Sequence, residues 1–131
     1  MAGYSGSPLP KKLGVKEGHR VLVVGAPETF TLDAPMTETG PYDVILSFCP
    51  DFATLADGFE HWKSQLTPSG GLWIGWPKKS SGMRTDLTES MVREFGLAGG
   101  LVDNKVCAID ETWSGLRFVI RLADRNPTNR S

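Results

Sequence analysis

The sequence predicts an α/β fold, a small open sheet of mostly parallel strands that ends in an antiparallel β-hairpin. Three observations predict it. Strand-like and helix-like segments alternate along most of the chain, which is typical of right-handed parallel crossovers. The first strand segments are continuous apolar runs, as expected for strands buried on both faces. The last two flank a short polar loop, as in a hairpin. We therefore expect three layers, with the sheet in the middle.

The elements before residue 50 are predicted to be one short helix and two buried strands. Ser7 and Pro8 supply an N-cap residue and a proline at the first helical position, and Gly14 supplies a helix stop. The apolar runs VLVV (21–24) and YDVILSF (42–48) have the length of strands. The prolines between them predict an irregular loop or a short helical turn.

Two longer helices are predicted from capping residues and apolar spacing. Asp51 is the expected N-cap of the first, and Gly58 weakens that helix by about 1 kcal/mol relative to alanine. Its apolar face comprises Phe52, Leu55, Phe59, Trp62 and Leu66. Asp86 and Glu89 approach a capping box for the second helix, which Gly96 is expected to end. Its apolar face comprises Leu87, Met91 and Phe95.

The remaining strands are predicted from turn signals. The segment TPSGG (67–71) is expected to close the preceding helix and turn into a third strand, LWIGWP (72–77). LVDNKVCAI (101–109) and LRFVIRL (116–122) are predicted as antiparallel strands around DETWSG. Arg117 and Arg121 share a face of the last strand and form a potential basic stripe.

Length and charge limit the function classes. A chain of 131 residues suits one domain, which we place at residues 1–123, with a flexible tail at 124–131. The 14 basic and 15 acidic residues give a net charge of −1, so no overall field favours nucleic acid or an anionic membrane. No apolar run has the length of a signal peptide or membrane span, so a cytoplasmic location is the default expectation.

Cysteine and histidine do not indicate a metal or redox site. Cys49 and Cys107 lie inside apolar runs without a CxxC spacing, which favours buried thiols. His19 and His61 have no cysteine or carboxylate partner at a ligand spacing. We predict no metal ligands and no catalytic residues.

The order of elements resembles the later half of the class I methyltransferase fold, a seven-stranded Rossmann-like sheet that ends in a β-hairpin. The segment QLTPSGGLWIGW (65–76) is similar to the leucine, proline and paired-glycine turn before that fold's fifth strand. In that comparison RVLVVGAP corresponds to the first strand, YDVILSF to the fourth, and CAIDETWSGLRFVIR to the hairpin. The resemblance implies a truncated, methyltransferase-like and Rossmann-like fold.

The whole chain also resembles a family of small bacterial proteins classified as a domain of unknown function. The segments that carry this resemblance are GYSGSPLPKKLG, WPKKSSG followed by TDLTE, and LVDNKVCAIDETWSGLRFVIR. The resemblance implies no activity.

The methyltransferase resemblance implies a cofactor site on the turn after the first strand, at Gly25, Ala26 and Pro27. That fold usually has a glycine-rich turn there, and an acidic residue ends the second strand and binds the ribose. Here Pro27 removes a backbone donor from the turn. Glu28 and Asp33 are the nearest acidic candidates, but neither ends a predicted strand. We expect no cofactor, and S-adenosylmethionine remains the alternative.

A ligand is predicted beyond the carboxyl ends of the parallel strands, where loops and helix N-termini meet in open sheets. This rule brings together residues 25–28, 47–51, 76–81 and 110–114. Two of these segments precede helices, so we expect free backbone N–H groups there. The predicted ligand-binding residues are Trp76, Lys78, Lys79, Ser80, Ser81, Asp110, Glu111 and Trp113.

Each group in this predicted site has a structural alternative. Lysines and serines suit a phosphate or carboxylate, or they form a solvated loop. The two carboxylates pair with the lysines or take part in catalysis, and we predict pairing. The tryptophans stack on a planar ligand or belong to the core.

The leading hypothesis is a non-catalytic module that binds a small anionic ligand or a protein at this site. The alternative is a relative of the S-adenosylmethionine-dependent methyltransferases with an altered pocket around Gly25. A third possibility is an interaction subunit whose shortened sheet edge is covered by a protein partner or a second copy.

Overall fold

The structure is a computed structural model that describes residues 9–28, 30–32, 36–37 and 39–124. In chain order its helices and strands are α1 Leu9–Leu13, β1 Val21–Val24, β2 Tyr42–Phe48, α2 Phe52–Ser64, β3 Leu66–Pro77, α3 Glu89–Ala98, β4 Leu101–Ala108 and β5 Trp113–Ile120. Short 3₁₀ turns lie at Lys79–Ser81 and Leu122–Asp124. The predicted N-cap Ser7, with Pro8, and the predicted tail from residue 125 onward lie outside the described residues. In the part of the chain that is described, no helix is long and apolar enough to cross a bilayer.

The five strands form one open, mixed sheet in the order β1-β2-β3-β5-β4. β1, β2 and β3 pair in parallel, whereas β5 pairs antiparallel with both β3 and β4. The predicted α/β class is therefore confirmed. The predicted bounds of β1 and β2 coincide with the observed ones.

β3 is longer than predicted. It begins at Leu66, and the segment expected to be a turn is part of the strand. Tyr42 pairs with Leu66 and Val44 with Gly71, so five residues of β3 span the distance of two on β2. A Cβ on Gly70 would lie 2.9 Å from the backbone oxygen of Tyr42. Glycine is needed here because the two backbones approach closely, which the sequence pattern does not distinguish from a turn.

α2 and α3 pack on one face of the sheet. The glycines predicted to weaken α2 and to end α3 both lie against aromatic rings. A Cβ on Gly58 would lie 2.2 Å from the ring of Trp62, and one on Gly96 would lie 2.1 Å from the ring of Phe118. α3 therefore continues through Gly96 to Ala98 instead of ending there. In both helices glycine makes room for an aromatic ring.

The capping of α3 also differs from the prediction. Thr88 is its N-cap and accepts a hydrogen bond from the backbone N–H of Met91 at 3.2 Å. Asp86 instead accepts from the N–H of Phe52, the first residue of α2, at 2.9 Å. The buried residues of α3 are Val92 and Gly96, while Met91 is exposed. Leu87 is buried but precedes the helix.

The opposite face of the sheet is covered by α1 and the segment after β1. Leu13 and Trp73 are fully buried in this second core cluster, with Phe48 and Trp113. The indole Nε1 of Trp73 donates to the backbone oxygen of Leu13 at 3.0 Å. This bond attaches the end of α1 to the centre of the sheet.

Candidate functional sites at the two ends of the sheet

The structure brings the predicted site segments together at the carboxyl ends of β1, β2 and β3. Val24 pairs with Ser47 at the end of β1. The backbone N–H of Cys49 donates to the oxygen of Gly75 at 2.8 Å, and that of Lys78 donates to the oxygen of Thr112 at 2.8 Å. The four segments therefore adjoin one another along this edge.

The two tryptophans of the predicted site belong to the core. Trp76 and Trp113 are each only 6% exposed. The ring of Trp113 packs edge to face against that of Phe48, with centroids 5.1 Å apart. Neither indole presents a free face for stacking on a planar ligand.

The carboxylates of the predicted site do not pair with its lysines. One oxygen of Asp110 accepts hydrogen bonds from the backbone N–H groups of Thr112 and Trp113, both at 2.8 Å. Asp110 thereby closes the turn between β4 and β5. Glu111 is exposed, and among the described residues neither carboxylate forms an ion pair with Lys78 or Lys79. The predicted pairing with the lysines is not found among the described residues, and Asp110 instead bonds to backbone amides.

The polar groups of the Lys78 segment are also partly used by the backbone. The hydroxyl of Ser81 donates to the oxygen of Lys78 at 2.6 Å and accepts from the N–H of Met83 at 3.1 Å. Lys79 and Ser80 are exposed, and Lys78 is half-buried. The segment is therefore a turn held by its own hydrogen bonds, with the side chains of Lys79 and Ser80 in solvent.

The free helix amides expected at this end are capped. Asp51 accepts from the N–H of Thr54 at 2.9 Å and from its hydroxyl at 2.7 Å. These two bonds, the backbone one first, lower the pKa of Asp51. Asp86 accepts from the N–H of Phe52. An incoming anion would meet two carboxylates at the N-terminus of α2, where the N–H groups of Phe52 and Thr54 already donate to them.

The turn after β1 adjoins an apolar groove. Gly25 has a φ of +70°, and a Cβ there would lie 3.2 Å from the backbone oxygen of Phe48. The oxygen of Pro27 accepts from the N–H of Phe30 at 3.0 Å. The groove has a volume of about 470 Å³ and is lined by Leu22, Val23, Ala26, Phe30, Leu32, Met36 and Thr37. Glu28 is exposed, and Asp33 lies outside the described residues.

A cavity that the sequence did not predict lies at the other end of the sheet, near the amino ends of the parallel strands. It has a volume of about 380 Å³, and four cationic side chains line it: Lys12, Lys16, Lys105 and Arg117. We call this cavity the basic pocket. Leu13, Gly14, His19 and Ser69 complete the lining. None of these described lining residues is acidic.

Two parts of the chain supply the cations of the basic pocket. Lys12 and Lys16 belong to α1 and the turn after it, whereas Lys105 and Arg117 belong to β4 and β5. The two parts are held together by the bond from Trp73 to the end of α1 and by a second bond. In this second bond the ammonium of Lys105 donates to the backbone oxygen of Lys12 at 3.3 Å.

Lys105 and Arg117 are register partners on antiparallel strands. Like charges directly opposite one another destabilise a sheet, and such a pair is ordinarily avoided. Arg117 also requires a glycine beneath it, because a Cβ on Gly71 would lie 2.3 Å from its Nε. The side chain is therefore half-buried over Gly71 at the pocket wall.

His19 is oriented by a short turn. Its Nδ1 accepts a hydrogen bond from the backbone N–H of Lys16 at 3.1 Å, and its own backbone N–H donates to the oxygen of Lys16 at 3.0 Å. An accepting Nδ1 leaves the neutral ring's proton on Nε2. His19 therefore adds one more donor to the pocket lining.

Burial raises the pKa of both cysteine thiols. Cys49 is fully buried, and burial with the nearby charge of Asp51 raises its pKa to about 12. Burial also raises the pKa of Cys107, and the charges of Lys12 and Lys105 oppose that rise. Cys107 thus lies within the field of the basic pocket.

No family model matches the chain, and no curated protein is significantly similar to it. A functional conclusion therefore depends on the geometry of the two ends of the sheet.

Proposed function

We propose that the protein is a non-catalytic binding module whose ligand is a small anion held in the basic pocket. The observation that carries this proposal is the convergence of four cationic side chains from distant parts of the chain on one cavity of about 380 Å³. A cavity of this size falls within the roughly 300 to 1,000 Å³ that is usual for small-molecule sites.

The charge distribution supports the proposal. The whole chain has a net charge of −1, so the cations of the basic pocket are a local concentration and not part of a generally basic surface. Opposed like charges cost free energy in the ligand-free protein. A bound anion offsets that cost and forms charge-assisted hydrogen bonds, which are among the stronger ones in proteins.

A purely structural role accounts for only part of the pocket. The ammonium of Lys105 and the indole of Trp73 both bond to the end of α1. These bonds account for the position of Lys105 but not for the presence of Lys12 and Lys16 at the same cavity. The described lining residues include no carboxylate, so the lysines at the cavity have no acidic partner among them and are suited to an anionic ligand.

Binding of inorganic phosphate and pyrophosphate tests this proposal by thermal shift and calorimetry. We expect both anions to raise the melting temperature of the wild type, since a ligand selective for the native state stabilises it by mass action. Lys105→Gln should reduce the shift. Lys79→Gln is the matched control, because it removes the same charge at the opposite end of the sheet and should keep the full shift.

Two results would contradict the proposal. Equal shifts in all three proteins would indicate nonspecific ion effects. Loss of the shift in Lys79→Gln alone would assign the anion site to the carboxyl ends of the parallel strands, where the sequence predicted it.

A second candidate is an S-adenosylmethionine-dependent methyltransferase relative with an altered pocket. The observation that favours it is the apolar groove of about 470 Å³ beside Gly25 and Ala26. The strand order β1-β2-β3-β5-β4 is also compatible with a truncated Rossmann-like sheet of the methyltransferase type that ends in a hairpin. Saturable heat with S-adenosylmethionine or S-adenosylhomocysteine, lost in Gly25→Val, supports this candidate. Absence of heat with both compounds rejects it.

A further inference from the structure

We infer that the ligand class of the basic pocket is a chain of linked phosphates, a diphosphate or a triphosphate, and not a single phosphate or a carboxylate. This inference rests on the proposed function. It is carried by the number of cations, by their division between two walls, and by the predominance of hydrogen-bond donors in the lining.

The number of cations exceeds what one phosphate neutralises. The pocket has three lysines beside Arg117, and a phosphate monoester carries roughly −1.5 to −2 at neutral pH. A single phosphate therefore leaves about one of the three lysine charges unmatched. Each further phosphoryl group adds roughly one negative charge, so a diphosphate or a triphosphate brings the balance close to zero.

The cations are divided between two walls. Lys12 and Lys16 follow one segment of α1 and its turn, and Lys105 and Arg117 lie side by side on the sheet. A linear chain of phosphates has oxygens along its length and contacts both walls at once. The cavity of about 380 Å³ has room for several linked phosphates.

Every polar side chain of the lining can donate a hydrogen bond, and Ser69 can also accept one. Lysine and arginine are donors without acceptor capacity, and His19 presents Nε2–H when neutral. Two backbone oxygens at this site, those of Lys12 and Leu13, already accept from Lys105 and Trp73. Such a lining complements the acceptor-rich oxygens of phosphates. It has few acceptors for the hydrogen-bond donors of a base or a sugar, so a nucleotide would be recognised by its phosphate chain.

Calorimetry with a ligand series at constant ionic strength and without divalent cations tests the inference. The probes are inorganic phosphate, pyrophosphate, tripolyphosphate, ATP and citrate, the last as a carboxylate of comparable charge. We expect tripolyphosphate to bind at least 10-fold more tightly than phosphate and citrate, with pyrophosphate between. Lys105→Gln should weaken tripolyphosphate binding about 10-fold, and Lys79→Gln should leave it unchanged.

Comparison with ATP distinguishes a nucleotide from a free chain of phosphates as the ligand. Equal affinities for ATP and tripolyphosphate support a site that recognises the chain alone, and tighter ATP binding supports a nucleotide. Equal affinities for phosphate and tripolyphosphate, or for citrate and tripolyphosphate, overturn the inference but leave an anion-binding function. A single-stranded oligonucleotide that outcompetes tripolyphosphate through Lys105 overturns it in favour of nucleic acid. No heat with any probe rejects both the inference and the proposed function.

Discussion

The two ends of the sheet use their polar side chains in opposite ways. At the carboxyl ends of the parallel strands, Asp51, Asp86 and Asp110 accept hydrogen bonds from backbone N–H groups and complete helix and turn geometry. At the amino ends, cations from α1, β4 and β5 line one cavity without an acidic residue among its described lining residues. The first arrangement satisfies backbone hydrogen-bond donors and so stabilises the fold. The second concentrates positive charge at one cavity.

This difference shows that an unfavourable local arrangement, such as two like charges on paired residues, can indicate a binding site better than its position relative to the strand ends does. The carboxyl ends of parallel strands are the usual location of ligands, yet Asp51, Asp86 and Asp110 there already accept hydrogen bonds from backbone N–H groups. The cross-strand pair of Lys105 and Arg117 violates the rule against opposed like charges. Departures of this kind are expected at functional sites, where a bound ligand offsets their cost.

Lys105→Glu gives the largest expected effect and separates stability from binding. A glutamate opposite Arg117 forms an ion pair across β4 and β5, so the ligand-free protein should gain roughly 0.2 to 1 kcal/mol at low salt. The same change places a negative charge in the basic pocket. Tripolyphosphate affinity should fall at least 100-fold, which is about 2.7 kcal/mol. Urea titration and calorimetry measure the two effects, with Lys105→Gln as the reference because both variants lose the bond to the oxygen of Lys12. A Lys105→Glu variant no more stable than Lys105→Gln would contradict the expected ion pair.

Trp73→Phe tests whether the basic pocket depends on the position of α1. The substitution removes the donor to the buried oxygen of Leu13 and some packing volume. We expect a loss of about 2 kcal/mol in the free energy of unfolding. Tripolyphosphate binding should weaken because Lys12 and Lys16 are held less firmly.

The matched control for this variant is Trp62→Phe. Trp62 is a buried residue of α2 on the other face of the sheet. Its substitution should lower stability and leave tripolyphosphate affinity unchanged. Equal weakening of binding in both variants would mean that general loosening, and not α1, controls the site.

Asp110→Ala tests the structural assignment of the carboxyl end. It leaves the N–H groups of Thr112 and Trp113 without their acceptor, and we expect a loss of about 1 to 2 kcal/mol in unfolding free energy. Asp110→Asn keeps an acceptor oxygen and should restore most of that loss. Binding of tripolyphosphate should be the same in both variants, and a change in affinity would place the ligand at this end after all.

Local sequence patterns are sufficient for the elements whose environment is determined by neighbours along the chain. β1 and β2 are continuous apolar runs bounded by turn residues, and their predicted and observed limits agree. Asp51 is predicted as the N-cap of α2 and has that role. In these cases the deciding contacts lie within a few residues of the pattern.

Predictions for elements whose limits depend on distant contacts are wrong. Gly96 has the appearance of a helix stop, but it faces the ring of Phe118 from β5. Asp86 has the appearance of an N-cap for its own helix, but it caps α2, 34 residues away in the sequence. A single sequence does not specify which distant residue each of these will meet.

The basic pocket could not be predicted from the sequence for the same reason, because it depends on contacts between distant residues. Lys12 and Lys105 are 93 positions apart, and the pairing of Lys105 with Arg117 depends on a register shift between Asp103 and Lys105 in β4. The sequence pattern places Arg117 in a basic stripe with Arg121 and does not pair it with Lys105. Only the register shows that the two cations face each other.

Asp51→Asn gives the smallest expected effect and addresses the charge at the carboxyl end. Hydrogen bonds from Thr54 hold the pKa of Asp51 below its ordinary value of 3.8. The unfolded chain therefore takes up the proton first as the pH falls. The stabilisation by this carboxylate is complete above about pH 4 and is lost as the pH falls through the lower pKa of the folded state.

An asparagine at this position caps the helix without titrating. The Asp51→Asn variant should therefore show a shallower loss of melting temperature than the wild type between about pH 5 and pH 3. Thermal unfolding followed by circular dichroism across this range measures the difference. Parallel profiles for the two proteins would mean that the hydrogen bonds from Thr54 do not favour the charged form of this carboxylate in the folded protein.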